Sequence, residues 1–174
     1  MPSGTKSITQ CTGAWLYTNG HFTEVYPRED RTSTTASATL DEFCHDVGIP
    51  EQLKSDRAPE LCGRTSEFLK NAKKKGIDLT YAEPERKNQI WKVDIEIREL
   101  KKRWHQKKKT KAVPNRLWDF GARYTAKIMQ FLPRNSLNGR TGYEEVTGKT
   151  PDNRSIVTLI SMIWYGTTLA CTRA

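Results

Sequence analysis

Gln52-Leu53-Lys54-Ser55-Asp56-Arg57-Ala58-Pro59-Glu60-Leu61 decides the fold. A short apolar-polar run leads into Ser55-Asp56, and Pro59 then opens a helical pattern. Proline suits the first turn of a helix, where no amide donor is needed. A carboxylate between a strand and a helix sits at the carboxyl edge of an α/β sheet, where such sheets place their sites.

Upstream of this stretch, Ala36, Leu40, Phe43 and Val47 recur at helical spacing and Gly48 follows as a stop. Before them, Ala14 to Tyr17 and Phe22 to Tyr26 are β-rich runs around Asn19-Gly20. That is a hairpin signal in which both central residues take positive φ. Met1 to Gln10 is small and polar and predicts no element. Downstream, Leu61, Thr65, Phe68, Leu69 and Ala72 predict a single helix ending at Gly76, and Ile77 to Tyr81 a strand. Strands alternating with helices give an α/β domain with a largely parallel sheet behind a leading hairpin.

A long helix is expected from Asn88 to Lys108, where Ile90, Val93, Ile97, Leu100 and Trp104 advance by three and four. A further helix carries Leu117, Phe120, Tyr124, Ile128 and Phe131 and ends at Pro133. The stretch 133–152 is turn-rich. Ser155 to Thr172 is 18 residues without a charge, about eleven of them apolar. Ser, Thr and Gly scattered through it argue against a membrane span and for a buried strand or a tail foreign to the fold.

The 174 residues suit one domain. Lys and Arg number 29 against 20 Asp and Glu, giving a net charge of +9. That balance favours a polyanion, usually DNA or RNA, with a solvated basic surface as the alternative. Cys11, Cys44, Cys62 and Cys171 with His21, His45 and His105 complete no zinc spacing, and the N-terminus has no secretory apolar region. An intracellular protein is expected.

Asp56 is the first candidate metal ligand, and Asp94 or Glu96 on the long helix the second. Hard Mg²⁺ or Mn²⁺ prefers such oxygens, and two ions together clamp the attacking and leaving oxygens of a phosphodiester. On a helical wheel each helix acid lies roughly 80° from the centre of the apolar stripe, on opposite sides. Either could face Asp56, but not both. The alternative is that they are flanking acids paired with Arg98 and Lys101. Lys101, Lys102, Arg103, Lys107, Lys108, Lys109 and Lys111 form a dense basic run suited to phosphates. The alternative there is a solvated helix C-terminus, where cations sit well. Trp104 among them is expected to fill the core rather than stack on a base.

LDEFCHDVGIP over Leu40–Pro50 followed by LKSDRAPEL over Leu53–Leu61 resembles the integrase catalytic core of copia-type LTR retrotransposons. So do Ile97–Lys102, Leu117–Phe120, Ala126–Ile128, Gly139–Thr141 and Thr147–Asp152, in order and spacing. The resemblance implies an RNase H-like mixed sheet flanked by helices and a D-D-E triad holding two divalent metals. It also implies DNA joining by transesterification, self-association, and a nuclear location where the protein is functional. Asp56 matches the second acid and Asp94 the third, with Asp in place of Glu. The first acid belongs to a strand upstream of Ala14, and no Asp or Glu precedes Glu24. The sheet is therefore expected to lack its first strand.

On this reading 1–13 is a remnant, 14–132 the core, 133–152 its extension and 153–174 a foreign tail. One codon choice for Ser155 to Trp164, read in a neighbouring frame, restores the family's acidic aromatic stretch and suggests a frameshift near residue 153. The expectation is an integrase fragment without catalysis. The alternatives are a basic binding module that never needed it, and an active nuclease completed by another acid such as Glu24.

Overall fold

The computed structural model describes residues 5–11, 14–82, 91–111, 114, 117–152 and 154. Five strands form one mixed sheet: β1 Thr5–Cys11, β2 Ala14–Thr18, β3 Thr23–Pro27, β4 Gln52–Ser55 and β5 Asp78–Tyr81. Their order is β3-β2-β1-β4-β5. β1, β2 and β3 run antiparallel, while β4 and β5 lie parallel to β1. The mixed sheet flanked by helices is the expected one.

The expected gap in it is not there. β1 occupies the central position, in a stretch whose sequence pattern predicts no element. Thr5, Ile8 and Thr9 supply β-branched residues. The larger reason is positional, because a strand flanked on both edges has backbone partners on both sides.

β2 is buried at all five positions, since its two faces meet different helices. Trp15 and Tyr17 face α1 (Ser33–Asp46) and α3 (Glu67–Lys74), joining Leu40, Phe43, Leu53 and Phe68. Tyr17 stacks on Phe43 with ring centroids 4.4 Å apart. Burying each such side chain contributes roughly 1.5–3 kcal/mol. Ala14 and Leu16 face the other way, toward α4 (Trp91–Lys111) and α5 (Trp118–Phe131), joining Val25, Val93, Leu100 and Met129.

Three local expectations change. At the hairpin only Gly20 has positive φ, at 93°. Asn19 instead accepts from the amides of His21 and Phe22 through its side chain, an Asx turn that frees it from the left-handed region. The single helix expected after Asp56 is two, α2 (Pro59–Cys62) and α3. Gly63 leaves helical conformation and Ser66 caps α3 by accepting from the Leu69 amide. Within 133–152 lie a 3-10 turn, Asn135–Leu137, and a short helix α6, Gly142–Thr147. A reciprocal capping box between Thr141 and Glu144 starts α6. The tail beyond residue 152, Arg154 apart, falls outside the described residues. No helix among the described residues is long and apolar enough to cross a membrane.

Candidate nucleic-acid interface and acid site

Asp56 follows β4 directly. Alternation along β4 puts Leu53 in the α1–α3 core, and so carries Asp56 toward the face that α4 and α5 cover. Its Oδ1 is buried and has no hydrogen-bond partner among the described residues. Buried polar atoms are rarely left so, and those that are call for a structural or functional reason.

The two acids of α4 part company. Glu96 is buried, and both its oxygens are taken by Arg134, with Nη1 to Oε1 at 2.8 Å and Nη2 to Oε2 at 3.1 Å. The Thr23 hydroxyl also donates to Oε2, at 3.3 Å. Thr23 is on β3, three strand intervals from β4, or roughly 14 Å. Glu96 therefore acts as an internal ion pair, far from Asp56. Asp94 lies about 160° round the helix from it and is exposed. Since α5 packs on β3 and α4 on β1, Asp94 is on the flank toward β4.

Glu24 is also on β3, in register with Ser55 across the same three intervals. Its carboxylate accepts from Gln130 at 2.8 Å, and burial raises its pKa. It does not complete a site with Asp56. Among the described residues no group of three or more His, Cys, Asp or Glu is placed to hold a metal. The sequence of β1, TKSITQC, offers no carboxylate from the sheet centre. These residues do not fit a two-metal centre.

The basic run divides. Lys101, Lys102 and Lys109 are exposed and Lys108 is partly so, and none makes an ion pair among the described residues. Arg103 pairs with Glu99 at 3.7 Å, one turn back. Lys107 turns inward, its Nζ buried 4.3 Å over the Tyr124 ring with no hydrogen-bond partner among the described residues. Burial, helped by Arg103, pulls its pKa down to about 8. Lys107 is therefore not one of the outward cations that the sequence suggested. The side chain of Lys111, at the end of α4, lies outside what is described.

Trp104 packs against Gly121 of α5, where an added Cβ would come within 2.0 Å of the indole. Beside it lies an apolar cavity of about 560 Å³, floored by Ala14, Leu16 and Val25 and walled by Leu100, Trp104, Trp118 and Ala122. Lys101 and His105, both exposed, complete its lining. Sequence reading missed this cavity. Its one signal was the i, i+3, i+4, i+7 stripe Lys101, Trp104, His105, Lys108.

No family model matches the chain, and no curated protein does. Solved structures match it in fold. It superposes on a chain of the simian T-cell lymphotropic virus intasome, in complex with the PP2A regulatory subunit B56 gamma, with a TM-score of 0.73. Identity is 14%, over 87% of this chain and 58% of the other. The catalytic core domain of BIV integrase gives a TM-score of 0.63 at 15% identity, over 83% of this chain and 93% of that one. The chain thus spans little more than half the length of the first relative. It has the RNase H-like fold of integrase catalytic cores.

Proposed function

We propose that this chain is an integrase core of copia-type retroelement ancestry that binds nucleic acid and has lost strand transfer. The observation that carries the reading is the central strand. β1 stands where the bridging acid of a two-metal site belongs, and its sequence holds no Asp or Glu. Asp56 keeps the end of β4, with a buried and unpartnered oxygen suited to a hard cation. Asp94 is on the flank of α4 toward it. Two acids without the third leave the attacking and leaving oxygens unclamped. The copia-type assignment rests on the motif order from Leu40 to Asp152.

Binding outlasts catalysis because it needs less. Cations on one helix neutralise phosphates without sub-ångström placement. The second reading, a basic module with no catalytic past, shares this prediction and is favoured only by the charge.

The test is a nicking and strand-transfer assay in Mg²⁺ or Mn²⁺, with Asp56→Asn as control, beside a gel shift at several salt concentrations. No cleavage is expected, with a shift that fades as salt rises. Cleavage abolished by Asp56→Asn would overturn the loss of catalysis. Absence of any shift at low salt would overturn binding.

A further inference from the structure

We infer that the cavity between the sheet and the α4–α5 pair receives an unpaired nucleobase, so that the basic face of α4 prefers single-stranded to duplex nucleic acid. The inference rests on the nucleic-acid reading above and names its substrate form. Three observations carry it. The cavity, about 560 Å³ with apolar walls, is of small-ligand size and far larger than one water. Trp118 lines the cavity and is 36% exposed, while Trp104 is held against Gly121. Lys101, His105 and Lys108 follow one another along the same flank of α4, over two turns or about 10 Å.

An apolar cavity with an aromatic wall beside two lysines is the combination that binds unstacked bases, the rings stacking and the phosphates meeting the charges. Charge complementarity selects a nucleic acid over an uncharged apolar segment, which would leave Lys101 and Lys108 unanswered. Duplex DNA has its bases stacked inside and can use only the cations.

The experiment compares an oligothymidylate of about twelve nucleotides with a duplex of equal length, by fluorescence anisotropy at low salt. The proteins are wild type, Trp118→Ala, Trp118→Phe and, as a surface control, Trp91→Ala. Tryptophan quenching is read alongside. Wild type is expected to bind the single strand more tightly and to show quenching. Trp118→Ala should lose about tenfold on the single strand, the size of one stacked base, and less than twofold on the duplex. Trp118→Phe should recover most of the loss, which a merely misfolded variant would not. Equal losses on both ligands, or quenching by neither, overturn the inference and point to an apolar occupant such as the chain's own uncharged tail. Duplex binding without single-strand preference sinks this inference and leaves the broader reading intact. No binding to either ligand sinks both.

Discussion

Arg134 closes on Glu96 with both guanidinium nitrogens, at 2.8 and 3.1 Å, while its Nη1 also donates to the Gly20 carbonyl at 3.0 Å. One arginine after α5 thereby ties the helix α4 to the β2–β3 turn. Glu96 is 3% exposed, so water does little to replace this partner. Removing one member of a buried pair leaves an uncompensated charge. Arg134→Met is expected to cost about 3 kcal/mol in urea unfolding. The double variant Arg134→Met with Glu96→Gln should recover part of it. A cost below about 0.5 kcal/mol, the scale of a surface pair, would mean the pair does not hold α4 in place.

Gly121 is dictated by its neighbour. A methyl there would meet Trp104 ring carbons at 2.0 and 2.1 Å. Overpacking of this kind costs about 1–3 kcal/mol. Gly121→Ala should fall at the upper end despite alanine's better helix propensity. Adding Trp104→Leu should relieve it, so that the double variant is more stable than the sum of the singles predicts. Simple additivity would mean that Trp104 moves aside at no cost.

Lys107 gives the fold a pH signature. Its folded pKa, about 8, lies below the ordinary 10.5 because burial beside Arg103 disfavours the charge. Between those values the unfolded chain holds the extra proton, so stability rises with pH. Below about 8 both states are protonated and the penalty is constant. Above 10 the buried phenols of Tyr17 and Tyr26 act oppositely, since burial raises their pKa. Urea midpoints measured from pH 7.5 to 9.5 should climb in wild type and climb less in Lys107→Met. Parallel curves would remove Lys107 from the explanation.

Asp56 should carry a stability cost. Its Oδ1 lacks a partner among the described residues, and an unsatisfied buried oxygen costs more when charged. Asp56→Asn is expected to raise Tm by about 2–4 °C, the equivalent of roughly 1 kcal/mol in a chain of this size. Saturating Mg²⁺ should narrow the gap only where the wild-type carboxylate binds it. A lower Tm in the variant would mean Asp56 has a structural partner of its own.

Much of this was legible in the residues, and the exceptions share a cause. The β4–Asp56–Pro59 junction, the α1 stop at Gly48 and the packing role of Trp104 follow from local periodicity and turn chemistry. β1 was not legible, because TKSITQC lacks the apolar alternation by which strands are recognised. The choice between Asp94 and Glu96 was not either. The wheel is symmetric about them, and Arg134, which breaks the symmetry, lies 38 residues away. The α6 capping box was present as Thr141–Glu144 and could have been read. So could the inward turn of Lys107, which stands seven residues after buried Leu100 and so on nearly the same helix face.

That inward turn separates the outward lysines, proposed above to meet phosphate, from the one that packs. Each phosphate left without its neutralising cation lowers the slope of log K against log salt by about 0.7–0.9. Lys101→Ala with Lys108→Ala should therefore flatten the slope by about 1.5 on single-stranded DNA and weaken binding across sequences. Lys107→Met, whose amine lies over Tyr124, should leave slope and affinity within error at pH 7. Equal effects from Lys107 and the outward lysines would mean the ammonium leaves its ring to meet phosphate. The division of α4 into a packed and a binding flank would then fail.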